Sequence, residues 1–211
     1  AQNLSPAAIA EAQTLSVEAQ GLNNRGGHLS AVSGSSSINL GRAIFNNQGG
    51  GLYAHQLLDV IAGDFNNQGA ASGQGGKVAA GRIDFGLSGA LNNAYGLVES
   101  TSSLSLASAG LDNRLGSLRA LGSSGDARIT ASSLDNRQGR IETANTNFVL
   151  GTASLQSSGG SILHVGTGNF GLSAAQVMGA GGDLSTNGLL SLSADSWTNS
   201  GVLQAGRLVL N

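Results

Sequence analysis

The chain of 211 residues carries little charge and is rich in glycine. Charged residues make up 10% of it, 34 residues are glycine, and the formal net charge is −2 at pH 7. Such a chain offers no basic face for a phosphate backbone, which argues against nucleic acid as a partner. Because glycine costs conformational entropy unless a turn needs it, the composition disfavours a helical or α/β domain and favours many short turns.

The sequence contains no cysteine and no long apolar run. Disulfides and cysteine-based metal sites are therefore excluded. No run reaches the roughly 18 apolar residues of a membrane span, and residues 1–20 lack the basic start and apolar stretch of a signal peptide. We expect any export signal to lie upstream or to have been removed.

A repeated marker runs along the chain: an apolar residue, then Asn or Asp, then Asn, with glycine close behind. Six clear copies begin at Leu22, Phe45, Phe65, Leu91, Leu111 and Leu134, and weaker copies lie near Leu155, Val177 and Trp197. Successive copies are on average about 22 residues apart. The residues between them alternate apolar and polar, which is typical of strands and unlike a leucine-rich repeat.

Each repeat is predicted to form one coil of a right-handed parallel β-helix, an all-β solenoid. A coil holds two or three short strands joined at Gly or Asn turns, and alone it cannot bury its apolar face. Stacking roughly nine coils about 4.8 Å apart buries a continuous narrow core along a rod roughly 40 Å long. We therefore expect residues 1–211 to form one repeat domain that belongs to a longer array.

The second Asn of the marker is predicted to hold neighbouring coils together. An Asn at the same turn of every coil tolerates left-handed backbone angles, and its amide can bond the Asn above and below. The predicted ladder consists of Asn24, Asn47, Asn67, Asn93, Asn113, Asn136 and Asn199.

The least regular coils lie between Asn47 and Asn93. The long step that follows Asn67 contains residues 70–77, which are predicted to form a protruding loop. Because loops tolerate change while stacked strands do not, a specific contact would be placed here. The candidate binding residues are Tyr53, His55, Gln74 and Lys77. The alternative interpretation is a harmless insertion.

The same coils hold the best candidates for catalysis. These are Asp59, Asp64, Lys77, Arg82 and Asp84. Arg82 and Asp84 are two residues apart on a predicted strand and so share a face, and Asp64 lies about one coil earlier. Some parallel β-helices are polysaccharide lyases or hydrolases, but their grooves need several charged groups and aromatic sugar platforms. Since this chain is poor in both, we favour a solvated outer face with an ion pair and assign no catalytic residue.

No metal or cofactor site is predicted. His28, His55 and His164 fall in different coils, without a second histidine at ligand spacing, and each is expected to be exposed. Residues 179–183 resemble a single unit of a calcium-binding nonapeptide, which needs tandem copies. Residues 73–78 lack the Ser or Thr of a phosphate-binding loop.

Two stretches of the chain resemble a known family. Residues 134–143, Leu-Asp-Asn-Arg-Gln-Gly-Arg-Ile-Glu-Thr, and residues 22–31, Leu-Asn-Asn-Arg-Gly-Gly-His-Leu-Ser-Ala, are similar to the haemagglutinin repeat of filamentous haemagglutinin-type exoproteins. The likeness extends over nearly the whole chain. It implies a filament outside a Gram-negative cell, exported through an outer-membrane transporter of a two-partner secretion system. The family includes adhesins and contact-dependent growth inhibition toxins, which this segment does not distinguish.

The resemblance implies a structural function, in which the segment extends a larger exoprotein so that a distant part meets a target cell. A first alternative is a module that itself binds a glycan or receptor on that cell. A second, less favoured, is a carbohydrate-active β-helix enzyme with a groove lined by Asp59, Asp64 and Asp84. Both ends of the chain read as strand, so end-to-end self-association is also expected.

Overall fold

The computed structural model describes residues 2–3, 8–178, 182–198 and 201–211. The regular structure of these residues is entirely β-strand, and the strands pair in parallel. They stack as a β-solenoid of about 9 turns with about 21 residues per turn, which confirms the predicted fold class. The described residues include no helix with the length and apolar character that a membrane span requires.

The described residues form 21 strands of the solenoid. In chain order they are β1 (Gln2–Asn3), β2 (Ile9–Ala12), β3 (Leu15–Glu18), β4 (Leu22–Asn23), β5 (His28–Ala31), β6 (Ser36–Asn39), β7 (Phe45–Asn46), β8 (Gly51–Ala62), β9 (Phe65–Asn66), β10 (Lys77–Leu87), β11 (Ala90–Asn92), β12 (Leu97–Ser100), β13 (Leu104–Asp112), β14 (Ser117–Ala120), β15 (Asp126–Asp135), β16 (Arg140–Thr143), β17 (Asn147–Gln156), β18 (Ser161–His164), β19 (Asn169–Val177), β20 (Asp183–Ser196) and β21 (Leu203–Leu210).

Three stacks of strands run along the solenoid. The marker stack holds the strands that lead into the repeated marker: β4, β7, β9, β11 and the ends of β13, β15 and β17. The second stack follows the marker and contains β5, the starts of β8 and β10, then β12, β14, β16 and β18. The third stack contains β6, the later halves of β8 and β10, and the first parts of β13, β15, β17 and β19.

The core consists of columns of inward side chains, one residue from each coil. In the marker stack the column is Leu22, Phe45, Phe65, Leu91, Leu111, Leu134 and Leu155, all buried. The rings of Phe45 and Phe65 stack with centroids 4.5 Å apart, and those of Phe148 and Phe170 stack at 4.8 Å. Parallel register places like side chains on one another, so thin layers form one continuous core.

The prediction that every histidine is exposed is wrong for His164. This residue is fully buried at the end of β18, in the inward column that Ala120 occupies two coils earlier. Its Nδ1 lies 2.9 Å from Thr186 Oγ1 and its Nε2 lies 2.9 Å from the carbonyl oxygen of Asn145. A polar ring is tolerated in the core because both of its nitrogens have partners. Alternation from the buried Ile162 is the signal that could have placed it inside.

The insertion is smaller than the loop predicted for residues 70–77. Residues 70–74 are exposed and form a turn, in which the N–H of Gln74 donates to the carbonyl of Ala71 at 3.1 Å. Gly75 and Gly76 are buried, and Lys77 is already the first residue of β10. The long step is thus absorbed by residues 70–74 alone.

Candidate functional site

The marker turn has one geometry at every ladder Asn except Asn67. The carbonyl of the marker Asn accepts a hydrogen bond from the N–H three residues later, as from Gly116 to Asn113 at 3.0 Å. At Asn67 the insertion intervenes, and the donor is the N–H of Gly76, nine residues later, at 2.9 Å. The residue at the third position of the turn has a positive φ, which a type II turn requires. These third residues are Gly26, Gly49, Tyr95, Leu115, Gln138 and Gly159. The expectation that the marker Asn itself adopts left-handed angles is therefore wrong, because the strained position lies two residues after it.

The marker Asn side chains form a continuous buried ladder. Each Nδ2 donates to the Oδ1 of the next coil, at 2.7 Å from Asn24 to Asn47 and at 2.8 Å from Asn47 to Asn67, Asn67 to Asn93, Asn93 to Asn113 and Asn113 to Asn136. Asn136 then donates to Ser157 Oγ at 3.2 Å. All six Asn side chains are fully buried. Asn199, the remaining predicted member, lies outside the described residues.

The ladder requires glycine at the fourth position of the turn. A Cβ would lie 2.2 Å from a backbone carbonyl oxygen of the preceding coil at Gly50 and Gly116, and 2.0 Å from one at Gly139. No side chain fits at such distances. The repeat pattern alone did not separate the glycines of the third turn position from those of the fourth. The signal it missed is that the fourth position stays glycine where the third becomes Tyr95 or Leu115.

The outer residue of the marker, which precedes the ladder Asn, caps the turn. Its Oδ1 accepts a hydrogen bond from the N–H two residues later, at 3.0 Å for Asp112 and 3.1 Å for Asp135. This arrangement is an Asx turn. Where the outer residue is aspartate, the arginine two residues later also forms an ion pair, with Nη2 2.7 Å from the carboxylate in both Arg114–Asp112 and Arg137–Asp135.

These four charged groups form one cluster across two coils, because Arg114 Nε also lies 3.7 Å from Asp135 Oδ2. Burial acts to raise the pKa of Asp135, but hydrogen bonds from Arg137 and the charges of both arginines outweigh it and hold this pKa below its usual 3.8. The hydrogen bond to Asp112 in turn raises the pKa of Arg114, so the cluster favours the fully ionised state.

The second stack carries a similar balanced column on its outer face. Glu99, Arg119 and Glu142 are register partners in successive coils. Arg119 Nη1 lies 2.6 Å from Glu99 and its Nε lies 3.5 Å from Glu142, which Arg140 Nε also contacts at 3.1 Å. Alternating signs in a column avoid the repulsion that like charges would have in adjacent parallel strands.

The candidate catalytic residues fall on different stacks. Asp59 and Asp84 are register partners on the third stack, and Asp84 Oδ2 lies 2.6 Å from Arg82 Nη2 on the outer face. Asp64 lies beyond the end of β8, where its Oδ1 accepts a hydrogen bond from the N–H of Ala90 at 2.8 Å. Lys77 begins β10 in the second stack. Within the described residues no three acidic, His or Cys side chains are grouped to hold a metal ion.

Three of the four candidate binding residues lie on one shallow concavity. Tyr53, Gln74 and Lys77 line it together with His28, and glycines form its floor. Gly51 lies between His28 and Lys77 in register, and a Cβ on it would be 2.5 Å from Tyr53 Cε2. The tyrosine ring therefore occupies the space of the missing side chain, with its centroid 4.9 Å from that of His28.

The fourth candidate, His55, does not line this concavity. It is exposed at the corner where β8 passes from the second stack to the third. A second concavity adjoins the first and shares Gly49 and Gln74 with it. It is lined by Arg25, Gln48 and Gln68, which occupy one turn position in three successive coils.

We call the combined surface the cationic turn face. It is defined by Arg25, His28, Gln48, Tyr53, Gln68, Gln74 and Lys77. Among the residues that the structure describes, no Asp or Glu lines either concavity. Glu11 approaches from outside, with Oε1 3.3 Å from His28 Nε2. Arg25 and His28 could not be assigned to this face from the sequence, because they lie two coils before the insertion and only the stacking brings them to it.

Comparison with known proteins identifies the repeat. A family model described as the haemagglutinin repeat matches residues 1–36, 31–124, 115–170 and 165–211, which together span the chain. No curated protein and no solved structure gives a significant match. The marker turns and the Asn ladder described above recur along the matched residues. The chain therefore belongs to the haemagglutinin repeat family.

Proposed function

We propose that the chain is a structural filament segment of a large secreted exoprotein, which holds a contact-making part away from the surface of a Gram-negative cell. The observation that carries this proposal is the Asn ladder, which links successive coils from Asn24 to Asn136 without interruption. A buried side-chain ladder fixes the register of each coil on the next. Repeats that contact only their neighbours extend a protein in one dimension, as a stalk requires.

The family supports export through an outer-membrane transporter of a two-partner secretion system, which would be the partner of the chain during secretion. The absence of cysteine suits a chain that crosses membranes unfolded, since no disulfide has to form afterwards. On the cell surface the exoprotein would serve cell contact, either as an adhesin or as the carrier of a contact-dependent growth inhibition toxin.

A non-catalytic role is supported by the outer-face carboxylates. Asp84 is paired with Arg82, Asp64 bonds a backbone N–H, and Asp112 and Asp135 are held by arginines. Asp112 and Asp135 line one concavity, but each is held by an ion pair with an arginine, which does not suit a general acid or base. The segment is thus proposed to act through its length and stiffness.

The test is a length-matched replacement in the full-length exoprotein. Residues 93–135 are two complete coils, from one ladder Asn to the residue before the third. Four tandem copies of them replace residues 24–198, in which the markers delimit eight repeats, and attachment to target cells is compared with that of a variant lacking residues 24–198. A spacer predicts that attachment survives replacement and falls on deletion. Antibody labelling of intact cells verifies that both variants reach the surface.

Loss of attachment in the replacement variant, at equal surface exposure, would contradict the spacer proposal. That result would favour the adhesive alternative, in which residues of this segment contact the target cell themselves. One surface of the described residues, the cationic turn face, is absent from the replacement coils.

A further inference from the structure

The cationic turn face differs from the same face of later coils in leaving its cations unpaired. Arg114 and Arg137 are held by the aspartates two residues before them. Arg25 occupies the equivalent position, but the residue two before it is Asn23, and in the described residues no carboxylate pairs with Arg25 or Lys77. On a chain of net charge −2, two unpaired cations over adjoining concavities create a local positive potential.

Side-chain amides line the same two concavities as the cations. Gln48 and Gln68 are half-buried on the wall of one concavity, and Gln74 is exposed on the wall that both share. Each amide offers two N–H donors and a carbonyl acceptor, the combination that matches a hydroxyl group. An occupant with several hydroxyl groups suits this surface.

An aromatic side chain, that of Tyr53, also belongs to the cationic turn face. All five phenylalanines of the chain are buried in the core, whereas Tyr53 lies on the outer side of β8 with its ring over Gly51. Its neighbour His28 supports it from the coil below. A tyrosine ring on an outer face has an apolar face and a polar hydroxyl tip, so it can pack against the C–H face of a pyranose.

A peptide suits the face less well. Peptides are commonly recognised through free backbone groups at a strand edge or through apolar pockets. Here the N–H of Gly51 donates to Gly27 and that of Lys77 donates to Gly50, both at 2.8 Å, so the strands under the concavity are already paired. The floor is glycine and offers no apolar pocket.

We propose that the cationic turn face binds an acidic oligosaccharide, with the carboxylate of one sugar acid on Arg25 and that of another on Lys77. The planar guanidinium of Arg25 can pair with a carboxylate through two N–H groups, the glutamine amides bond sugar hydroxyls, and Tyr53 packs on the ring. This binding goes beyond the spacer function, which needs none of these groups.

The experiment titrates the whole chain by calorimetry with three probes: oligogalacturonate, its methyl ester and a sulfated oligosaccharide. Oligogalacturonate is expected to bind, and the ester, which keeps the backbone but loses the charge, is not. Arg25→Gln and Tyr53→Ala should each weaken binding by about tenfold or more. The matched control is Arg114→Gln, which removes an arginine at the same turn position and should leave binding unchanged. Circular dichroism verifies that each variant is folded.

The proposal is overturned if no probe binds, if the methyl ester binds as well as the acid, or if Arg114→Gln weakens binding as much as Arg25→Gln. Binding of the sulfated probe alone would also overturn it, because the carboxylate would then not be the group recognised. These outcomes are independent of the spacer test, since attachment can survive the length-matched replacement whether or not oligogalacturonate binds.

Discussion

The two consecutive polar residues of the marker have different roles. Asn93 is fully buried and bonded to the coils on both sides, whereas Asn92 beside it points outward and makes one part-buried bond to Asn66. A buried amide left without its partner is costly, while an outer amide can turn to water. Neighbouring residues of the same type should therefore differ in their effect on stability.

We expect Asn93→Ala to lower the free energy of unfolding by about 2 to 4 kcal/mol. The change removes a donor from Asn113 Oδ1 and an acceptor from Asn67 Nδ2 and leaves a small void. The matched control Asn92→Ala should cost about 1 kcal/mol or less. Urea unfolding followed by circular dichroism measures the free energy of unfolding of both variants. Equal losses would contradict a stabilising role that is specific to the buried ladder.

Two adjacent turn positions should respond with opposite signs. Gln138 is exposed at φ 55°, so Gln138→Gly relieves backbone strain and should raise the free energy of unfolding by about 0.5 kcal/mol after the entropy of glycine is subtracted. Gly139→Ala places a Cβ against the carbonyl of Asn113 and should lower it by about 2 to 3 kcal/mol. Thermal and urea unfolding of the two variants measures both changes in the free energy of unfolding. Stabilisation by both substitutions would contradict the turn geometry assigned to Gln138 and Gly139.

Sequence reasoning reached the ladder positions because Asn recurs there at a steady spacing. It could not tell which turn residue carries the positive φ, since glycine, Tyr95, Leu115 and Gln138 all occupy that position. The unpaired state of Arg25 follows from Asn23 standing where Asp112 and Asp135 stand in later coils. The difference between Asn23 and the two aspartates is visible in the sequence. It predicts an unpaired arginine only when the structure shows that the outer residue contacts the arginine two residues later.

Within the marker stack, the outer aspartates depend on arginines for their stability. Asp112 and Asp135 are register partners, so two like charges would lie side by side without Arg114 and Arg137. The paired arginines lower the pKa of Asp135. A group whose folded pKa is lowered stabilises the protein above its unfolded pKa and loses that contribution as pH falls through the folded value.

Asp135→Asn should therefore destabilise the protein at neutral pH, and the difference from the wild type should shrink as the pH falls below about 3.8. Asparagine keeps the Asx turn, as Asn46 does with the N–H of Gln48, so the variant isolates the charge. Urea midpoints across this range measure the difference. High salt should reduce it as well, because the pair is partly exposed. A difference that grows at low pH would contradict the assigned direction.

Strand positions were predictable from alternation, but strand lengths were not. β8 (Gly51–Ala62) runs through a corner of the coil at His55 and Gln56, where the sequence carries no Gly, Pro or Asn turn signal. The corner is made by the stacked coils on either side, a tertiary constraint that local pattern does not encode. His164 is a similar case. The alternation of the strand predicts its inward position, but the core tolerates the polar ring only because Thr186 and Asn145 bond its two nitrogens.

At the scale of the whole molecule, each coil contacts only its neighbours, so a complete coil is a removable unit. Deleting residues 93–112 joins Asn92 to Asn113 and preserves the marker turn, the ladder and the inward columns. The variant should fold and be shorter by about 4.8 Å. Its free energy of unfolding should depend slightly less steeply on urea concentration, because unfolding exposes less surface. Small-angle scattering and urea unfolding measure these changes.

The control deletes residues 93–102 instead. This removes one marker turn and β12 while keeping the rest of the coil, so the second stack loses its register. We expect this variant to lose cooperative unfolding even though it lacks fewer residues than the complete-coil variant. The coil would not be the unit of stability if both deletions behaved alike.

The Asn ladder also has a direction. Every ladder Nδ2 donates toward the later coil, and its orientation is fixed because the same amide donates to a backbone carbonyl, as Asn93 does to Ser117. At the earliest ladder position, Asn24 Oδ1 is buried with no partner in the described residues. A rod that grows coil by coil thus presents N–H donors to the next coil, which must bring an acceptor, either an amide oxygen or a hydroxyl such as that of Ser157. The two faces of a coil are chemically unlike, so coils can stack correctly in only one relative orientation.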